Sequence, residues 1–197
     1  MAKFRCVLSD VHNVAIMWNP LIVSELEHEF GLPIGTIMTS AFGSEIGFAA
    51  TVGRVHHEDW AAELAKNLPS ELVRRWLSYL GDLNHEYITL LRSLKSSGIR
   101  VGFVTNATSR LEKEMLHHGF ADAADFIVAS YQIGKAKPDA EFYKFAITKA
   151  ACSTDQILYI DDDPRFVSAG ARAGITSIQY VGNAKIYEQL AEHGFDI

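Results

Sequence analysis

The sequence predicts an α/β protein built on a doubly wound parallel sheet, with a bundle of helices inserted after the first strand. Three observations carry this. Short, nearly continuous apolar runs alternate with helical patterns over much of the chain, as expected for strands covered by helices on both faces. Between about Ile16 and Gly81 the alternation stops, and only helical patterns and turns remain, with no strand. Polar residues cluster just after the apolar runs, on the side of an open parallel sheet where ligands bind.

Residues 4–9, 100–104, 126–129, 156–160 and 176–181 are the expected strands. Helical patterns follow at 111–118, 140–150 and 164–173, where apolar residues recur three and four apart. In the insertion, Asn19-Pro20 reads as an N-cap with proline at the first helical position, and Gly31-Leu32-Pro33 ends that helix. Residues 57–67 and 70–80 form two further amphipathic segments, and residues 84–97 make the crossover helix back to the sheet. The expected division is an α/β core of residues 1–15 and 82–197 and a helical cap of residues 16–81. Its aromatics, Phe42, Phe48, Trp60 and Trp76, are expected in the cap core, whereas Trp18, close to Asp10, is expected at the entrance between cap and core.

A chain of 197 residues with 48% hydrophobic content can bury one core with a modest insertion. A net charge of −6 gives no basic footprint and argues against a nucleic-acid partner. No run is long enough to span a bilayer or to act as a signal peptide, so a soluble cytoplasmic protein, monomer or homodimer, is expected. Cys6 and Cys152 show no paired spacing and are expected as reduced, buried thiols.

Asp10 follows the first strand, Thr105-Asn106 the second, Lys137 the third, and Asp161-Asp162-Asp163 end the fourth. Four strand ends of one parallel sheet converge on one crevice. Carboxylates at Asp10 and Asp162, with a nearby backbone carbonyl, are the hard oxygen ligands that Mg²⁺ prefers. The ion and Lys137 would neutralise an anionic substrate and keep Asp10 ionised. Thr105 offers a hydroxyl, and the N–H groups after it would cradle a phosphoryl oxygen at a helix start. A carboxylate so supported can attack phosphorus or carbon. Lys135 competes with Lys137 for this place; Lys137 is preferred because Pro138-Asp139 begin a helix that fixes its approach. Taken singly, Asp161–Asp163 also suit an acidic turn capping a helix at Pro164, and Thr105-Asn106 an ordinary turn.

Taken together, Val7-Leu8-Ser9-Asp10-Val11-His12-Asn13-Val14, Val101–Asn106, Lys137-Pro138-Asp139 and Tyr159–Pro164 resemble the four motifs of the haloacid dehalogenase (HAD) superfamily, subfamily I with a helical cap. The resemblance implies a Rossmann-like core and a Mg²⁺-dependent hydrolase, a phosphatase of a small phosphorylated metabolite. It implies that Asp10 is the nucleophile and a metal ligand, that the His12 carbonyl and Asp162 also hold the ion with Asp161 or Asp163 helping, and that Thr105 and Lys137 bind the phosphoryl group beside Asn106. The sequence departs from the pattern at His12, where phosphatases of the superfamily carry a general acid–base aspartate. It departs also at Asn13, where glycine is common, and at Ser9, where an aromatic residue often stands. His12 is expected to handle protons in its place. The alternatives are a dehalogenase-type hydrolase of a small halo acid and a weakened member that only binds ligand. A phosphoacceptor receiver domain fits poorly, because its acidic pair follows the first strand whereas here the acidic cluster follows the lysine.

Overall fold

The protein is described by a computed structural model covering residues 3–196. Met1, Ala2 and Ile197, assigned to the core from sequence, lie outside the described residues. In chain order the elements begin with β1 (Cys6–Ser9) and β2 (Ile16–Met17). Five helices follow, α1 (Pro20–Glu29), α2 (Thr36–Phe42), α3 (Glu45–Thr51), α4 (His57–Asn67) and α5 (Ser70–Ser78), and then β3 (Asp82–Leu83). The remainder alternates: α6 (His85–Ser96), β4 (Arg100–Thr105), α7 (Leu111–His118), β5 (Phe126–Ala129), α8 (Ser130–Ile133), α9 (Ala140–Ala150), β6 (Ile157–Asp161), α10 (Pro164–Arg172), β7 (Thr176–Gln179) and α11 (Asn183–Glu192).

Five strands form one parallel sheet in the order β5-β4-β1-β6-β7, so β1 sits at the centre. Alternate side chains serve opposite faces. Val7, Val101, Phe103, Leu158 and Ile160 join one buried cluster with Leu91 of α6, Leu111 of α7 and Ile186 of α11. Cys6, Leu8, Val104, Val128 and Tyr159 join another with Phe142 and Ala146 of α9 and Ala169 of α10. Gly102 is where the sheet tolerates no side chain, because a Cβ there would meet the Phe126 ring.

The insertion has a third cluster of its own, built from Leu26, Ile37, Trp60, Leu64, Leu72 and Trp76. Asn19 caps α1 as expected, its side chain accepting from Leu21 N–H. Two expectations are corrected. The stretch after the first strand does contain a strand: Ile16–Met17 pairs antiparallel with Asp82–Leu83 and ties the two ends of the insertion together. Phe42 and Phe48 are not cap core, being 47% and 54% exposed. Helix α2 is preceded at its N-cap by Gly35, which is left-handed and offers no capping side chain. The buried Glu27 carboxylate supplies the acceptors instead, taking Gly35 N–H at 2.8 Å and Ile37 N–H at 2.7 Å.

Among the described residues, no helix is long and apolar enough to cross a membrane.

Candidate active site

The carboxyl ends of β1, β4 and β6 meet at one buried centre. Asp10 directly follows β1, and its N–H donates to the Ile160 carbonyl at 2.9 Å, which continues the ladder and fixes the backbone. One carboxylate oxygen, Oδ1, accepts from Val11 N–H at 2.7 Å. Ser9, fully buried, lies within hydrogen-bond distance of the Tyr87 hydroxyl at 2.9 Å and donates to the Asp10 carbonyl at 2.7 Å.

Lys137 approaches from the loop before α9. Its ammonium lies 3.1 Å from Asp10 Oδ1 and 2.6 Å from Asp161 Oδ2, with all three side chains nearly or wholly shielded from water. Burial alone would pull the lysine pKa down, yet the two carboxylates outweigh it and the net shift is upward. Lys135, the other candidate, is an exposed partner of Asp139 at 3.5 Å. Asp161 closes β6 rather than following it. Its Oδ2 also receives the Tyr159 hydroxyl, and its Oδ1 accepts Asp163 N–H at 2.9 Å. Burial pushes the Asp161 carboxyl up, with Lys137 opposing and Asp10 adding to the rise. Asp163 turns outward to cap α10 and pair with Arg165.

Asp162 is half-buried, and carboxylate oxygens of Asp10, Asp161 and Asp162 lie within 4.8 Å of one another. Burial and then Asp10 raise its pKa, while the neighbouring Asn13 side chain opposes the rise. Asn13 has φ +60°, a left-handed conformation that asparagine adopts more readily than most residues. This accounts for asparagine in the place where the resembled motif commonly has glycine.

Thr105 ends β4 and is fully buried, and its hydroxyl has no hydrogen-bond partner. Such an orphaned hydroxyl is free to receive a water or a polar ligand atom. The Asn106 amide is otherwise employed: Oδ1 accepts Lys137 N–H at 2.8 Å and Nδ2 donates to the Lys137 carbonyl at 2.9 Å. The expected helix-start cradle after Thr105 is corrected as well. Helix α7 begins only at Leu111, and the Ala107 N–H is given to Ser130 Oγ at 2.9 Å.

His12 points to residues that sequence reasoning did not find. Its Nε2 lies 2.9 Å from Glu114 Oε2, and Glu114 pairs in turn with Arg110 at 3.1 Å. Burial works against the charged imidazole, but Glu114 and Asp10 outweigh it and the His12 pKa is raised. Glu114 is lowered despite burial because His12 and Arg110 face it. The one sequence signal was the i,i+4 spacing of Arg110 and Glu114 across the start of the helix after Thr105. Trp18 lies beside His12, ring centroids 5.9 Å apart, and the Arg110 guanidinium sits 5.2 Å over the Trp18 ring.

Between the insertion and the core lies a cavity of about 660 Å³, with His12, Asn13 and Asn106 on its core side and Trp18 among its other walls.

The centre suits a divalent cation. Three carboxylates against one ammonium leave two uncompensated negative charges, and the carboxylate oxygens gathered there are hard ligands.

Fold and site together define an α/β protein with an acidic centre at its strand ends and a helical insertion beside it. The chain belongs to the haloacid dehalogenase-like hydrolases, whose family model matches residues 49–180. It is 26% identical over 111 residues to an N-acetylmuramic acid 6-phosphate phosphatase from Pseudomonas aeruginosa, a match covering 54% of this chain and 49% of that protein. The chain thus matches about half the length of that relative. A predicted HAD-like family hydrolase from Porphyromonas gingivalis has the same fold, with a TM-score of 0.81 at 21% identity over 99% of this chain and 100% of that one. A HAD family enzyme from Bacteroides thetaiotaomicron, in complex with magnesium and inorganic phosphate, superposes with a TM-score of 0.75 at 17% identity over 91% and 96%.

Proposed function

We propose that this protein is a Mg²⁺-dependent phosphatase of small phosphate monoesters, with residues 16–81 acting as a cap over the core. The observation that carries the reading is the Asp10–Lys137–Asp161 arrangement beside the partnerless Thr105 hydroxyl. The structure with magnesium and phosphate bound to a protein of the same fold supports it further. Asp10, Asp162 and the His12 carbonyl would hold Mg²⁺, with Asp161 beside them, and the bound ion would neutralise the phosphoryl oxygens.

Lys137 and Thr105 bind the phosphoryl group, and Asn106 positions Lys137 through its backbone. An Asp10 carboxylate oxygen attacks phosphorus, and the bond from phosphorus to the leaving oxygen breaks. The proton that oxygen needs comes from His12, held in place by Glu114. Water then attacks phosphorus, gives a proton to His12, and releases phosphate with Asp10 regenerated.

Steady-state assays on a panel of phosphate monoesters test this. Asp10→Asn is expected to abolish turnover, and His12→Ala to lower kcat by about 10²- to 10⁴-fold. A His12→Ala enzyme as active as the parent on every substrate turned over refutes the proton role. A parent that turns over none of them, yet is stabilised by Mg²⁺ with a phosphate-mimicking fluoride, is a binding protein instead.

A further inference from the structure

The cavity beside the phosphoryl position has walls that discriminate between leaving groups. Its cap side carries Trp18, Val23, Ile34, Met38, Phe42 and Trp60. Ile34, Met38 and Phe42 remain 85%, 47% and 47% exposed. Apolar side chains gathered in the open around a concave site mark a binding surface rather than a core.

Most of the polar residues interleaved with them already have partners. Ser24 Oγ donates to the Leu21 carbonyl at 3.0 Å, and Thr51 Oγ1 to the Gly47 carbonyl at 3.0 Å. Asn19 Oδ1 accepts Leu21 N–H, and both Glu27 oxygens accept N–H groups at the start of α2. His57 Nδ1 and Thr108 Oγ1 satisfy each other at 3.1 Å. Arg110 is the only lysine or arginine among the lining residues. Its guanidinium is held by Glu114, by the Tyr79 carbonyl and over the Trp18 ring.

A leaving group rich in hydroxyls would give up hydrogen bonds to water here and find few free partners. A second anionic group would find only the Arg110 guanidinium, whose charge Glu114 already balances. An apolar body loses no hydrogen bonds and is removed from water. We infer that the substrate is a phosphate monoester of a bulky apolar alcohol with no second anionic group, a conclusion that rests on the phosphatase reading above. The phosphoryl group sits at Thr105 and Lys137, and the apolar body lies against Trp18, Met38 and Phe42.

The test is kcat/KM, with Mg²⁺ present, for methyl, butyl and octyl phosphate, 2-naphthyl phosphate and glucose 6-phosphate. Each buried methylene is worth roughly threefold to fourfold, so butyl phosphate exceeds methyl phosphate by at least about tenfold. The 2-naphthyl ester exceeds glucose 6-phosphate by at least about tenfold as well. Met38→Asp and, independently, Ile34→Asp lower the naphthyl-to-glucose ratio, with melting temperature confirming that each variant is folded. A flat alkyl series, a preference for glucose 6-phosphate, or an unchanged ratio in both folded variants overturns the inference while leaving the phosphatase reading standing. Failure to turn over any of the esters removes that reading, and the inference falls with it.

Discussion

Replacing Lys137 by methionine keeps most of the side-chain volume and deletes the one ammonium that separates Asp10 from Asp161. In the native protein that ammonium is 3.1 Å from one carboxylate and 2.6 Å from the other. Without it, Asp161 keeps the Tyr159 hydroxyl and Asp163 N–H, and Asp10 keeps Val11 N–H. None of these three partners carries a balancing charge. Removing one partner of a buried ion pair costs about 3–5 kcal/mol, because the remaining charge is left uncompensated. For a chain of 197 residues the unfolding entropy near the midpoint is about 0.4 kcal/mol per degree, so the melting temperature should fall by roughly 7–12 °C. The measurement is a thermal melt in EDTA, so that no metal compensates for the lost charge. Lys135→Met is the control: its partner Asp139 is 3.5 Å away and both side chains are well exposed, so it should shift the melt by no more than about 1–2 °C. Adding Asp161→Asn to Lys137→Met should recover part of the loss, since one of the two facing charges is then gone. A Lys137→Met melt indistinguishable from the Lys135→Met melt would refute the buried-charge reasoning.

The other predictions concern a cap, a pair of thiols and a positioning carboxylate. Glu27→Gln replaces two good acceptors with one acceptor and one donor facing an N–H at the start of α2, and should cost about 1–3 kcal/mol by denaturant melt; an unchanged midpoint refutes the capping role. The Cys6 thiol is fully buried, and burial, then the neighbouring Cys152, pushes its pKa up to about 12. Ellman's reagent at pH 8 should therefore reach at most Cys152 in the native protein and both thiols only after unfolding; two thiols titrating together in the native state contradict this. Glu114→Gln should lower kcat by about tenfold or more with KM nearly unchanged, because it disturbs His12 and not the phosphoryl contacts. An effect confined to KM would exclude a role through His12.

The sequence made the strands and helices of the parallel core legible because their signals are local. The helices at 111–118 and 140–150 and the strand at 126–129 have the bounds their periodicity suggests. Asp10, Lys137 and Asp161 could be expected together because strand ends of a parallel sheet must converge. What stayed hidden depends on contacts far apart in the chain. A two-residue strand such as Ile16–Met17 has too few positions to show a period, and its partner lies beyond the whole insertion. Helix α2 lacks a local cap because Glu27 supplies one from α1. The Asn106 amide looked available for substrate because nothing nearby in sequence competes for it, yet it grips the Lys137 backbone 31 positions on.

The same separation explains the departure at His12. The resembled motif places a carboxylate two residues beyond Asp10, and this chain has an imidazole there. A carboxylate is nonetheless close by: Glu114, 102 positions later, meets the ring at 2.9 Å. Arg110 on the other side of Glu114 limits how freely that carboxylate can swing. The proton-handling role proposed for His12 on the loop after β1 therefore needs two elements, the loop and α7, to be docked together. Trp18 couples a third, since it contacts both the His12 ring and the Arg110 guanidinium and also lines the cavity. In the proposed mechanism, filling the cavity with an apolar leaving group would press on Trp18. The orientation of the proton donor would then be coupled to the part of the substrate that the cap selects.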